Sequence, residues 1–412
     1  MKVRISDISK VRRGASPRPI GDPKYFGGNV GWVRISDVTS SKKYLQKTEQ
    51  YLSPIGEKLS VRVDKGDLIM SICATLGKPI LVDMAACIHD GFVKFYDLKD
   101  VDTEYLYYAL QNIEQFIQGS GQAGTQKNLN TGIVENYELF FPKTKKEQTK
   151  IAQILSSIDK SIEKTESLIA KYQRIKTGLM HDLLTKGIDK NGIIRNEKSY
   201  KFKAINRLKV PKEWDIKQII STTYLKARIG WQGLKASEFI EDGPYLVTGT
   251  DFKDGEINWD TCYHVSEERY REAEYIHLQN GDLVITKDGT IGKTAIIKNC
   301  PMKAVLNSGV FVLRCNDGSY LNEFLYYILN SNYFFDFLFQ TQGGSTINHL
   351  YQREFEKFCF PCPSINEQRK ILSVLVKINE NHKNEQNKLS KLIAIKNGVM
   401  QDLLTGKVKL NT

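Results

Sequence analysis

A chain of 412 residues, 41% hydrophobic and 26% charged, is too long for one ordinary core and too apolar to remain disordered. Its 59 Lys and Arg against 47 Asp and Glu leave a net charge of +12, which favours polyanionic partners, because a cation that meets a phosphate releases a condensed counterion. No run approaches the ~20 apolar residues of a membrane span, the opening Met1-Lys2-Val3-Arg4 lacks the apolar core of a secretory signal, and seven scattered cysteines argue against a disulfide framework, so a cytoplasmic protein is expected.

In chain order, residues 1–145 read as a mixed α/β domain. Asp67-Leu68-Ile69-Met70 and Gly91-Phe92-Val93-Lys94-Phe95 are short apolar runs bounded by Gly or Asp, the pattern of strands. The Tyr- and Leu-rich run 103–117 is long enough for a helix. Residues 146–187 predict one long helix: there is no proline, and apolar positions recur at three- and four-residue steps. These are Ile151, Leu155, Ile158, Ile162, Ile169, Tyr172, Leu179 and Leu183. Residues 145–185 as one helix would span ~60 Å at 1.5 Å per residue, and such a stripe needs a partner. Residues 188–209 are strongly basic with almost no apolar pattern and read as a solvated linker. A second mixed domain, 210–365, opens with Val210-Pro211-Lys212-Glu213-Trp214. Its strands are expected at Asp282-Leu283-Val284-Ile285 and Gly309-Val310-Phe311-Val312-Leu313, and its helix over 322–339. Residues 366–407 carry a second stripe at Ile371, Leu375, Ile378, Leu389, Leu392, Val399 and Leu403. In its middle His382 and Glu385 stand where the first stripe has Ile162 and Thr165, and Lys176 and Lys396 interrupt the two stripes at the same place.

The chain is written twice. Glu147-Gln148-Thr149-Lys150-Ile151 recurs as Glu367-Gln368-Arg369-Lys370-Ile371, each preceded by Phe-Pro, at Phe141-Pro142 and Phe360-Pro361. Asp182-Leu183-Leu184-Thr185 recurs as Asp402-Leu403-Leu404-Thr405. Upstream, Gly66-Asp67-Leu68 matches Gly281-Asp282-Leu283, and Thr75-Leu76-Gly77-Lys78 matches Thr290-Ile291-Gly292-Lys293. Glu104-Tyr105-Leu106-Tyr107-Tyr108 matches Glu323-Phe324-Leu325-Tyr326-Tyr327. Two copies are too few for a solenoid, so each needs its own core.

No catalytic constellation emerges. Gly289-Thr290-Ile291-Gly292-Lys293-Thr294 imitates a phosphate loop, but the position that needs the first glycine holds Lys287. Cys359-Phe360-Pro361-Cys362 has ligand-like spacing without a second pair, and His264, His277, His349 and His382 are dispersed. Catalytic, cofactor-binding and metal-ligating residues are therefore expected to number none.

With these features the chain resembles the specificity (S) subunit of a type I restriction–modification enzyme. The resemblance rests on the doubled domain closed by Phe-Pro, the Glu-Gln-x-x-Ile helix ending in Asp-Leu-Leu-Thr, the Val-Pro-x-x-Trp entry and the Gly-Asp-Leu strand with its Thr-x-Gly-Lys turn. The first copy lacks the Pro-x-x-Trp entry and begins at Met1, leaving the edge of its first strand open. The resemblance implies an α+β fold: two similar mixed α/β target-recognition domains separated by a pair of long antiparallel coiled-coil helices, with pseudo-two-fold symmetry. It implies a non-catalytic subunit that reads a bipartite, asymmetric site in double-stranded DNA. Methyltransferase (modification) subunits and an endonuclease/translocase (restriction) subunit would be its partners, and S-adenosylmethionine, ATP and Mg would belong to them. A stand-alone duplicated DNA-binding or coiled-coil scaffold protein shares every feature except the partners.

For DNA contact, the Gly- and amide-rich runs before each long helix are the leading candidates. Gln and Asn pair bidentately with adenine, Lys and Arg with guanine, and glycine lets backbone approach the groove. In the first copy these are Gln122, Thr125, Gln126, Lys127 and Asn128, and in the second Gln342, Ser345, Thr346, Asn348 and His349. Lys42, Lys43, Lys78, Lys287 and Lys293 are candidate phosphate anchors, and Arg34 and Thr248 lie on similar runs.

Overall fold

The computed structural model describes residues 1–119, 129–205, 208–229, 233–341 and 349–410. They form two compact units, Met1–Leu168 with Glu385–Thr412, and Ile169–Asn384.

In the first unit a five-stranded sheet runs in the order Lys10–Arg13, Phe92–Tyr96, Leu68–Ser71, Pro79–Val82, Tyr44–Leu45. A four-stranded sheet runs Gln50–Leu52, Phe26–Val33, Ala86–Ile88, Val61–Val63. Successive strand residues face opposite ways, and both faces of the larger sheet are covered. Leu68, Met70, Val93 and Phe95 therefore join a core built with the helices, while Ile69 and Phe92 join one shared with the smaller sheet.

The second unit repeats the plan. Its four-stranded sheet runs Thr223–Ala227, Val310–Cys315, Leu283–Thr286, Thr294–Ile296, and its three-stranded sheet Tyr263–His264, Ile240–Val247, Ala304–Leu306. The faces divide as before: Leu283, Ile285, Phe311 and Leu313 toward the helices, Val284, Val310 and Val312 toward the smaller sheet. One parallel pairing recurs in the smaller sheets, Gly31 with Ala86 and Tyr245 with Ala304. The first strand of the first unit is also settled. Lys2–Arg4 pairs antiparallel with Glu138–Phe140, just as Asp215–Gln218 pairs with Cys359–Cys362.

The long helices are Lys145–Thr185 and Ile365–Leu404. In the first unit Ile151, Ala152 and Leu155 share a core with Met400, Leu403 and Leu404, and Asp159 meets Lys396 at 2.8 Å, so the two segments run antiparallel. In the second unit the backbone N–H of Ile188 reaches Glu367 at 3.0 Å, and Leu183 and Leu184 pack in one core with Ile371 and Leu375. None of the stripe positions named above is exposed.

Two expectations need correction. The helix expected over 322–339 is two, Asn322–Leu329 and Asn332–Thr341. At the break Asn330 donates to the carbonyl of Tyr326 and Ser331 to that of Ile328, side chains competing with the backbone for helical acceptors. The stretch 188–209 is not a solvated linker. It contains the strand Phe202–Ile205, paired antiparallel with Leu208–Pro211. Its Arg195 is buried and ion-paired to Glu367, a contact that overrides the polar composition.

Candidate nucleic-acid interface

In both units the helix-facing sheet ends in the same turn. Ser71 Oγ accepts from the Lys78 N–H at 3.1 Å and donates to the Thr75 carbonyl. Thr286 Oγ1 accepts from the Lys293 N–H at 3.0 Å and donates to the Thr290 carbonyl at 2.5 Å. Gly77 and Gly292 adopt φ of +80° and +83°, a left-handed conformation that glycine takes at no steric cost. The turn is thus closed by its own hydroxyl and carbonyls.

A second pair of turns lies on the smaller sheets. Arg34 and Thr248 each donate their backbone N–H to the carboxylate three residues on, Asp37 and Asp251, both at 2.7 Å. Those carboxylates are buried and also bind neighbouring segments, Asp37 the Glu49 N–H at 3.0 Å and Asp251 the Thr261 hydroxyl at 3.2 Å. The scaffold is shared but the displayed side chain is not: Arg34 presents an exposed guanidinium 3.3 Å from Gln50, whereas the Thr248 hydroxyl turns back to Asp251 at 2.9 Å.

In the second unit the candidates assemble around Thr286. A Cβ built on Gly249, next to Thr248, would lie 2.9 Å from the Thr286 methyl. The Lys287 carbonyl accepts from the Leu350 N–H at 2.8 Å, and His349 Nδ1 is bonded to Asp288. Lys293 is exposed on the turn itself. In the first unit Leu129 N–H is likewise tied to the Ile72 carbonyl at 2.8 Å, so Leu129 and Leu350 are held at matching places in the two units. Gln122, Thr125, Gln126, Lys127, Asn128, Gln342, Ser345, Thr346 and Asn348 lie outside the described residues.

Three of the candidate lysines have partners within the fold, and one of them is buried. Lys43 is no phosphate anchor. Its ammonium is buried against Glu104 at 3.0 Å and against the Tyr108 and Ser156 hydroxyls at 3.2 Å each. Lys78 bonds the carbonyls of Thr39 and Ser41 at 3.3 and 3.5 Å, steadying a helix end. Lys42 is exposed but paired with Glu166.

Sequence reasoning missed several buried polar groups. Gln148 and Gln368 each cap the start of the Tyr-rich helix: Gln148 Oε1 accepts from Asp102 N–H and Gln368 Oε1 from Leu321 N–H, both at 2.8 Å. Their presence in a repeated motif was a visible signal; their targets were not. Glu367 receives Arg195 and the Trp214 indole N–H, the latter at 3.2 Å. Arg228 is buried, with Nε on the Leu306 carbonyl at 3.0 Å and, among the described residues, no partner for either terminal nitrogen; burial pushes its pKa down. Nothing in the sequence marked it. Cys362 is a buried thiol pushed up to about 12 by desolvation, unsuited to reactive chemistry. Among the described residues no group of three or more His, Cys, Asp or Glu side chains could hold a metal ion, and no helix is long and apolar enough to cross a membrane.

Comparison with known proteins fits this doubled architecture. The family model described as "Type I restriction modification DNA specificity domain" matches twice, at residues 1–172 and 230–393. The type I restriction enzyme MjaVIII specificity subunit of Methanocaldococcus jannaschii is 25% identical over 99% of this chain and 92% of its own. The EcoBI specificity subunit of Escherichia coli is 21% identical over 83% and 72%. Among solved structures, the S subunit from M. genitalium superposes with a TM-score of 0.58 at 16% identity, covering 98% of this chain and 96% of that one. A chain from a study of assembly and conformational transition in the type I restriction–modification system gives 0.61 at 16%, covering 98% and 97%. At that identity the structural likeness speaks for the fold, and the doubled family match speaks for the kinship: this chain belongs to the family of type I restriction–modification DNA specificity subunits.

Proposed function

We propose that the chain is the non-catalytic, sequence-reading subunit of a cytoplasmic type I restriction–modification complex. Each unit reads one half of a bipartite, asymmetric DNA site. The chain brings methyltransferase and endonuclease subunits to that site, and S-adenosylmethionine, ATP and Mg act on those partners. The observation that carries this reading is one fold built twice with different side chains displayed at matching turns, Arg34 against Thr248. Equal frames with unequal reading edges suit two unlike half-sites. Exposed cations near the turns, Arg34 and Lys293 among them, suit phosphate or guanine contact.

The test is an exchange of residues 1–145 for the same region of a relative, followed by mapping of methylated adenines in the host genome. One half of the methylated motif is expected to change while the other, and the gap between them, stay the same. If both halves change together, the two units do not read separately. Affinity purification from the host should also recover a methyltransferase subunit; a chain that returns alone would favour a free-standing DNA-binding protein.

A further inference from the structure

In the first unit the helix seam contains a balanced set of half-buried charges. Lys396 meets Asp159 at 2.8 Å and Gln111 at 3.2 Å, Tyr108 donates to Asp159 at 2.7 Å, and Lys43 meets Glu104 at 3.0 Å. The repeat shows what the second unit does at the same places. Lys176 stands for Lys396, Tyr327 for Tyr108 and Asn330 for Gln111, but Asn379 replaces Asp159. Gly255 replaces Lys43: the Ile296 N–H bonds the Gly255 carbonyl at 2.9 Å as Leu81 N–H bonds that of Lys43 at 3.0 Å. Asn379 keeps the tyrosine contact, donating to the Tyr327 hydroxyl at 2.6 Å, yet carries no charge for the lysine.

Lys176, Tyr327 and Asn330 line one cavity of about 390 Å³, together with Gln173, Thr177 and His181. A water's share of liquid volume is about 30 Å³, so the space admits a side-chain-sized ligand with its hydration. Among the described residues no Asp or Glu lines it. Lys176 is half-buried and has no ion pair among the described residues, and burial pushes its pKa below the ordinary lysine value. A desolvated ammonium among amide and hydroxyl groups, with its built-in counter-ion removed, is a site for an incoming anion.

We propose that this cavity of the second unit binds a carboxylate beside Asn379, which pairs with Lys176 and supplies the charge that Asp159 supplies to Lys396 in the first unit. Asn379 fills the position of Asp159 itself, so the carboxylate lies in the adjoining cavity that Lys176 and Tyr327 line, and its source is either a free carboxylic acid or an acidic side chain of a protein partner.

The experiment follows acylation of Lys176 in the full chain by an N-hydroxysuccinimide ester, read by peptide mass spectrometry. Acetate, glutarate and the capped peptide Ac-Ala-Glu-Ala-NH2 are the probes, at an ionic strength held constant with chloride. At least one should protect Lys176, on the order of tenfold at saturation, and leave exposed lysines such as Lys293 unprotected. Protection by the free acids points to a small ligand, and protection by the peptide alone to a protein side chain. Asn379→Asp should lower the reactivity of Lys176 without any probe, toward that of Lys396, and abolish protection because the pocket then supplies its own carboxylate. In a parallel measurement, any rise in Tm produced by a protecting probe should vanish in Lys176→Met. The proposal is overturned if no probe protects Lys176, or if Asn379→Asp leaves protection intact.

Discussion

At the head of the second long helix Glu367 is enclosed by Arg195, Trp214 and the Ile188 N–H. At the head of the first, Glu147 occupies the same motif position half-exposed, and no cation is paired with it among the described residues. Their neighbours Gln148 and Gln368 do not differ in this way: both are buried and cap the same helix start. Two adjacent motif residues thus follow different logic. The glutamine satisfies backbone groups that the fold itself creates, so it is needed wherever the fold is used. The glutamate is needed where residues 188–214 fold back against it. Identity between repeats marks shared architecture only when the partner is also repeated.

The sharpest way to break the comparison is at the seam, where the units should behave alike. Leu155 and Leu375 are both fully buried, one in each unit's core. Leu155→Ala and Leu375→Ala should each cost about 2–5 kcal/mol, and hydrogen exchange should loosen the first unit in one case and the second in the other. Loss of protection in both units from either change would deny them separate cores. The next effect is unequal by design. Glu367→Ala leaves the buried Arg195 guanidinium without its main counter-ion and should destabilise by about 3–5 kcal/mol in urea unfolding. Glu147→Ala should stay within about 0.5 kcal/mol. Matching losses would show that Glu147 has a partner after all.

How much of this was readable beforehand depends on the range of the signal. The strands showed because alternate residues serve two cores, as Ile69 and Met70 do. The seam showed because its spacing persists over many turns. The fold-back of 188–209 did not, since it depends on long-range contacts, Arg195 with Glu367 and Ile188 and Ile205 with the core, and eight Lys and Arg in Lys186 to Lys209 otherwise look solvated. Lys42 and Lys43 are indistinguishable by composition, yet one is exposed and the other enclosed by tyrosines. Which side of the chain a lysine leaves from is set by long-range packing against Glu104 and Ser156. The amide-rich candidates 122–128 and 342–348 lie outside the described residues.

The smallest expected effect concerns the residue after the last strand of each smaller sheet, His89 in the first unit and Asn307 in the second. Each accepts a backbone N–H close by, His89 Nδ1 from Gly91 at 2.8 Å and Asn307 Oδ1 from Ser308 at 2.7 Å. Only the histidine titrates. Burial, reinforced by the positive charge of Arg34, holds its pKa below the ordinary value of 6.5, against the opposing pull of Asp90. As pH falls below 6.5 the unfolded chain takes up a proton at this position before the folded chain does. Stability present above that pH is then lost progressively until the folded pKa is passed. His89→Asn, which copies the second unit, should flatten the acid limb of the first unit's stability without altering the second's. Thermal unfolding of both proteins between neutral pH and the carboxylate range measures it. An unchanged slope would mean that the ring takes up its proton at the same pH folded and unfolded, so that burial does not hold its pKa down.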